Sequence, residues 1–316
     1  MNTLPPATCK NCDAQLQGEF CHHCGQQDKR YLRSIFAVLG DLFGELGHWD
    51  SRFYRTLTGL MFKPGFLSLQ FFKGRHASYV PPLRLYFFIS LIAFLVLTSL
   101  IDVQFRELQQ SEQQQLAEAQ KQLDEQLVNP LTPLLDENGQ LKPPKVQLQG
   151  LEVLGISEQT EAELEQKVQS LLENPQQFGK KLMSMTPQMM LVMLPFWALF
   201  LKLCYVFSRH YYLEHLTVAL HTHAFILLSL MLVTIIGSLA DVIAGLGAGG
   251  WADISSHLVQ TVIFAWIIVY LLLTQKNVYQ QGWPLTLIKF LFCAIGYIIL
   301  LAIFFALMIV VGILNS

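Results

Sequence analysis

Residues 210–239 read HYYLEHLTVALHTHAFILLSLMLVTIIGSL. A membrane span needs about 20 mostly apolar residues, and this stretch exceeds that length. Yet His210, Glu214, His215, His221 and His223 all fall in its first half. Ionisable side chains inside a span are costly and mark a candidate functional site. Further apolar stretches occupy 83–101, 187–207, 257–274 and 285–314. The expected fold is therefore an all-α polytopic membrane protein of five transmembrane helices, with a small N-terminal zinc ribbon and a helical extracytoplasmic loop.

Composition agrees with that class. Of 316 residues, 53% are hydrophobic and 14% charged, a balance typical of neither soluble domains nor disordered chains. The net charge of -2 conceals an asymmetry. Residues 1–84 hold ten Lys and Arg against six Asp and Glu, while 102–186 hold seven against fourteen. Lys202, Arg209, Lys276 and Lys289 lie near span ends that would share a side with the basic head. The positive-inside rule then puts the N-terminus in the cytosol and the C-terminus outside. Lys180 and Lys181 are the mild exception, beside the second span on its outer side. The first 30 residues are polar and contain no signal-peptide pattern.

The expected organisation is a zinc ribbon at 1–27, cytosolic or interfacial amphipathic helices at 28–80, a first span at 81–101, a Gln- and Glu-rich extracytoplasmic loop at 102–186, and a four-span domain at 187–316. In the head, Cys9-x-x-Cys12 and Cys21-x-x-Cys24-Gly25 form two knuckles. Their spacing lets four thiolates converge on one tetrahedral ion. Gly25 supplies a left-handed turn after the second sulfur, and Asp13 takes that role on the first knuckle. Structural Zn²⁺ is the expected occupant, with rubredoxin-like iron or a redox dithiol as alternatives. His22 and His23 are expected as exposed loop residues. No basic recognition helix follows, so nucleic acid is not an expected partner.

Apolar residues at steps of three and four predict a helix over Asp28–Gly47 and another from Asp50 or Ser51 to Phe62, with Tyr54, Leu57, Leu60 and Met61 on one face. Pro64-Gly65 breaks the second helix. Phe66, Leu67, Phe71 and Phe72, mixed with Lys73 and Arg75, suit a segment in the headgroup plane beneath the spans. With the cysteine knuckles and Gln26, the residues Thr56, Leu57, Leu60, Pro64-Gly65, Gly74-Arg75, Tyr79 and Pro82 resemble the bacterial domain-of-unknown-function family numbered 3667. The resemblance covers about residues 9 to 95. It implies an integral membrane protein with a cytosolic metal ribbon, and it supplies no catalytic residue to carry over.

Beyond the first span, Val103–Val128 and a segment from Thr160, with Glu163 placed for a capping box, predict two helices of an outer hairpin. Ala244–Gly250 is glycine-rich but lacks the Lys and Ser or Thr of a phosphate loop, and reads as a flexible outer turn. Ala302 and Ala306 offer a small-residue packing contact. Cys204 and Cys293 read as small buried hydrophobes.

On a helical wheel His210, Glu214 and His221 fall within about 40° of one another. His223 points the opposite way, with His215 between. A proton or metal pathway is one reading, and hydrogen bonding to headgroups and neighbouring spans is the other. The histidine boxes of membrane di-iron hydroxylases need more ligands than are present. No nucleophile elbow, zincin motif or dinucleotide fingerprint occurs. The expected function is a non-enzymatic scaffold or regulator, with membrane lipids around it and a protein partner at the cytosolic ribbon. The alternative is a proton- or solute-conducting transporter using Glu214, His215 and His221.

Overall fold

The computed structural model describes residues 8–27, 51–99, 163, 165–169 and 175–314. The expected Asp28–Gly47 helix and nearly all of the outer hairpin lie outside the described residues. Among the described residues the protein is helical apart from the ribbon, with no strands. We label the helices α1 (Ser51–Phe62), α2 (Phe66–Phe72), α3 (Pro82–Ser99), α4 (Pro175–Cys204), α5 (Tyr212–Ile243), α6 (Gly249–Tyr279) and α7 (Trp283–Leu314). Helices α3 to α7 are the five that are long and apolar enough to cross a membrane. Backbone contacts divide the chain into two units, one of Met1–Val96 with Leu194–Ile298, the other of Leu97–Met193 with Ile299–Ser316.

In the first unit α5 is the central helix. His215, Thr217–Phe225 and Leu227–Ser229 are all buried. This half of the helix is buried all round and displays no amphipathic stripe, so its polar residues face neighbouring helices and not water. Helix α6 returns antiparallel to it. The Phe225 and Tyr270 rings stack at 3.6 Å, and Gln260 Nε2 donates to the Val233 carbonyl at 3.5 Å. The reversal falls in the glycine-rich stretch, as expected. It is not an open loop, however, because Ala244–Ala248 form a π-helical turn.

Helices α1 and α2 make a corner against this hairpin. Trp266 Nε1 donates to the Met61 carbonyl at 3.1 Å and Asn277 Nδ2 to the Pro64 carbonyl at 2.9 Å. The buried stripe of α1 is Thr56, Gly59 and Leu60, while Tyr54 is 62% exposed, so the face is rotated from the expected one. The cause is the close approach of α2, whose Leu67 would come within 3.1 Å of a β-carbon at Gly59. Only small groups fit there. Thr56 Oγ1 donates to the Arg52 carbonyl at 2.7 Å and accepts the Val80 N–H at 3.0 Å, tying α1 to the start of α3. Pro82 opens α3 in its first turn, where a missing N–H costs nothing.

In the second unit the N-terminal part of α4 lies against the C-terminal part of α7. A β-carbon at Gly312 would sit 3.1 Å from Phe178 and 3.2 Å from Leu182. Helix α4 begins at Pro175, well before the expected start at Pro187. Pro187 is therefore inside the helix, where Thr186 Oγ1 donates to the Leu182 carbonyl at 3.0 Å and takes up a backbone acceptor of that turn. Ala302 and Ala306 are exposed within this chain.

Gly65 turns α1 into α2 at φ 74°, and a β-carbon there would lie 3.1 Å from Val278 Cγ2 and 3.3 Å from the Thr274 carbonyl. Gly65→Ala is expected to destabilise the purified protein by about 1–3 kcal/mol, read as a lower unfolding temperature in detergent. Gly282→Ala, with nothing within 4 Å of the new carbon, is expected to stay within about 0.5 kcal/mol of wild type.

Candidate metal centre and intramembrane polar residues

The two knuckles share one backbone design. Cys9 N–H donates to the Ala14 carbonyl at 2.8 Å and Asp13 N–H to the Cys9 carbonyl at 2.9 Å. Cys21 N–H to Gln26 and Gly25 N–H to Cys21 repeat the pattern, both at 2.8 Å. Each turn needs a left-handed residue, and Asp13 at φ 59° and Gly25 at φ 72° provide it. Isolated bridges Thr8 to Gln15 and Phe20 to Gln27 close the two loops.

All four sulfurs lie within 4.8 Å of one another, with Cys9 to Cys24 and Cys12 to Cys21 each at 3.6 Å. Thiolates at about 2.3 Å from a tetrahedral ion sit about 3.8 Å apart, so the four cysteines fit a metal ion. Cys9 and Cys21 are buried, whereas His22 and His23 are exposed, as expected. Backbone N–H groups of Cys24 and His23 lower the Cys21 thiol to about 6. The Ala14 N–H favours a Cys12 thiolate, but desolvation and the crowding sulfurs prevail and push that thiol up to about 12. Four sulfurs this close cannot all ionise without a cation among them. Since the metal binds thiolates, its affinity falls as pH falls through the thiol range.

The ribbon does not hang from a free tether. Gln26 Nε2 donates to the Gly74 carbonyl at 2.8 Å, while its Oε1 accepts the His76 and Ala77 N–H groups at 3.2 and 3.1 Å. Ser78 Oγ donates to Asn11 Oδ1 at 2.9 Å. Gly74, at φ 79°, also leaves room for Lys10, whose Cδ would lie 3.0 Å from a β-carbon there. The sequence marked Gln26 only as the residue after the glycine. Its role depends on a loop some fifty positions away, which no local pattern signals.

From the same loop α2 reaches the central helix. Ser68 Oγ lies 2.9 Å from His221 Nδ1, both side chains being buried. The other polar residues of α5 go elsewhere. His215 Nδ1 is 2.8 Å from the Tyr279 hydroxyl on α6, and the two rings stack at 5.5 Å. His223 Nδ1 donates to the Ala219 carbonyl at 2.8 Å, which leaves Nε2 to accept the Tyr297 O–H at 3.2 Å. Glu214 Oε2 accepts the Tyr211 N–H at 2.7 Å and caps α5. His210 precedes the helix, its ring 6.1 Å from that of His215.

The wheel grouped His210, Glu214 and His221 on one face, but their partners come from different elements. His210 and His215 are the pair brought side by side. Sequence reasoning missed Ser68, Tyr279 and Tyr297 as the partners, because partner choice is set by neighbouring helices. Cys204 and Cys293 were expected as separate hydrophobes, yet their thiols interact across α4 and α7.

Purified protein is expected to carry one metal ion per chain, lost in Cys9→Ser and in Cys21→Ser by elemental analysis. Gln26→Ala should retain the ion but open the ribbon's attachment, read as faster proteolysis between residues 27 and 51. Residues 50–94 match the model of a family described as a protein of unknown function, DUF3667. No curated protein and no solved structure matches the chain. The family match spans α1, α2, the loop that holds the four-cysteine ribbon, and most of α3.

Proposed function

We propose that this protein is a non-enzymatic scaffold or regulator of the bacterial inner membrane, whose zinc ribbon forms a fixed recruiting surface on the cytosolic face. The observation that carries the reading is the Gln26 clamp. One side chain makes three hydrogen bonds to Gly74, His76 and Ala77, just before Pro81-Pro82 leads the chain into α3. A ribbon held this way presents the same face to the cytosol at all times. Phe20 is 58% exposed, and His22 and His23 are exposed beside it, none of them engaged in the clamp. An exposed aromatic flanked by polar groups suits a protein partner.

Zinc is favoured over iron because four thiolates in a closed, redox-neutral structural site are its commonest setting. The basic 1–84 segment and Lys202, Lys276 and Lys289 support a cytosolic N-terminus and an extracytoplasmic C-terminus. A conducting pathway through Glu214, His215 and His221 receives less support, since Glu214 caps its own helix and the two imidazoles bond to two different helices.

A photocrosslinker in place of Phe20 is expected to capture a defined cytosolic protein in cells, and the adduct should vanish in the Cys9→Ala, Cys24→Ala double variant. Proteoliposomes holding the wild-type protein should pass no protons. Proton flux that disappears in His221→Ala would refute the scaffold reading in favour of transport.

A further inference from the structure

Helices α4 and α7 meet along one seam inside the first unit. On α4 the seam is Trp197, Phe200 and Cys204, spaced at i, i+3 and i+7, and on α7 it is Lys289, Cys293 and Gly296, spaced at i, i+4 and i+7. The ring contacts run antiparallel. Trp197 meets Tyr297 edge-on at 4.9 Å, and Phe200 stacks on Phe292 at 5.8 Å. Gly296 lets the Phe200 ring lie against the α7 backbone, because a β-carbon there would overlap that ring. One turn further along, the same register brings the Cys204 and Cys293 thiols together, and they hydrogen-bond across the seam. Both are free thiols, Cys204 half-buried at the last residue of α4 and Cys293 buried on α7.

A cation completes the group. Lys289 Nζ stands 4.5 Å from the centre of the Tyr205 ring, the residue after Cys204, and its charge acts on both thiols. Reactive cysteines occur in such electropositive, partly open settings, and redox-responsive ones stand beside a second thiol that resolves the oxidised state. A purely structural buried cysteine needs neither neighbour. An ammonium this close repels a metal cation, which separates this pair from the four sulfurs of the ribbon.

We infer that Cys204 and Cys293 form a peroxide-reactive dithiol, in which Cys204 is the attacking sulfur and Cys293 the resolving one. Cys204 Sγ attacks one oxygen of a hydroperoxide, forming an S–O bond as the O–O bond breaks. The alkoxide leaves with the proton of the Cys204 thiol as an alcohol, and the cysteine becomes a sulfenic acid. Cys293 Sγ then attacks that sulfur. An S–S bond forms, the S–O bond breaks, and hydroxide departs with the Cys293 proton as water. Two thiols thus lose two electrons and two protons while the hydroperoxide is reduced to an alcohol and water. The roles follow from burial, since the oxidant has to reach Cys204 alone. The disulfide joins the end of α4 to α7 beside Tyr205, whose ring stacks on Tyr279 of α6 at 3.6 Å.

Full-length, metal-loaded protein in lipid nanodiscs is treated with an equimolar amount of hydrogen peroxide, or of cumene hydroperoxide, which dissolves in the bilayer. Free thiols are then blocked with N-ethylmaleimide and the peptides read by mass spectrometry. A disulfide-linked peptide pair holding Cys204 and Cys293 is expected, and the faster oxidant tells whether the substrate comes from water or from lipid. Cys293→Ser should stop at a dimedone-trapped sulfenic acid on Cys204, whereas Cys204→Ser should trap nothing at Cys293. Lys289→Met should slow the reaction about threefold, and Lys289→Arg should restore it. A dithiol reaction is excluded if neither oxidant yields the linked pair, if Cys293 is oxidised equally well in Cys204→Ser, or if Lys289→Met reacts as fast as wild type. Should a serine variant fail to fold, the linked pair in the wild-type protein decides alone.

Discussion

The four-sulfur cluster is the constraint from which the head of this protein follows. The described ribbon, residues 8–27, consists of two turns and two isolated bridges, far too little to fold by apolar burial. Binding of a structural metal by such a peptide releases about 10–16 kcal/mol, enough to order both knuckles at once. Only when the second knuckle is formed does the residue after Gly25 have a fixed direction. Gln26 then meets Gly74, His76 and Ala77 together. Each bond contributes about 0.5–1.5 kcal/mol net, and the three share the ordering cost of one side chain.

What the clamp holds is the loop that follows α2, and α2 is bound to the central helix by Ser68 and His221. Polar groups in a membrane seek partners within the protein, and α5 sends one ring nitrogen of each imidazole to a different neighbour, leaving His215 Nε2 and Ser229 Oγ unpartnered. His221 reaches α2, His215 reaches Tyr279 on α6 and His223 reaches Tyr297 on α7. Histidine suits this work because one ring offers two hydrogen-bonding edges without a charge. The histidines that first suggest a relay thereby act as directional fastenings between helices that apolar packing alone would leave free to slide.

Much of this was legible in the sequence, and the rest was not for identifiable reasons. Hydropathy marked five spans because twenty-residue apolar runs have few other uses, and cysteine spacing marked the metal centre because four ligands must converge. Boundaries were less secure. Pro187 looked like a helix start, but Gln, Lys, Leu and Met upstream favour helix and carry α4 back to Pro175. The exposed Tyr54 shows that a broad apolar stripe fixes a face only to within one residue when Thr56 and Gly59 allow close approach. Helical wheels gave the relative directions of His215, His221 and His223 around α5 without revealing their partners, and included His210, which lies before the helix. Asn11, Gln26 and the Cys204–Cys293 meeting depend on contacts between distant segments, for which local periodicity contains no signal.

Metal in the four-cysteine ribbon is expected to order the loop that leads into α3. Hydrogen exchange on the purified protein, with and without chelator, measures it directly at the His76 and Ala77 amides. Both amides are expected to be protected in the metal-loaded protein and to lose protection when the metal is removed, while amides within α5 stay protected. Equal protection of His76 and Ala77 in the two states would contradict it.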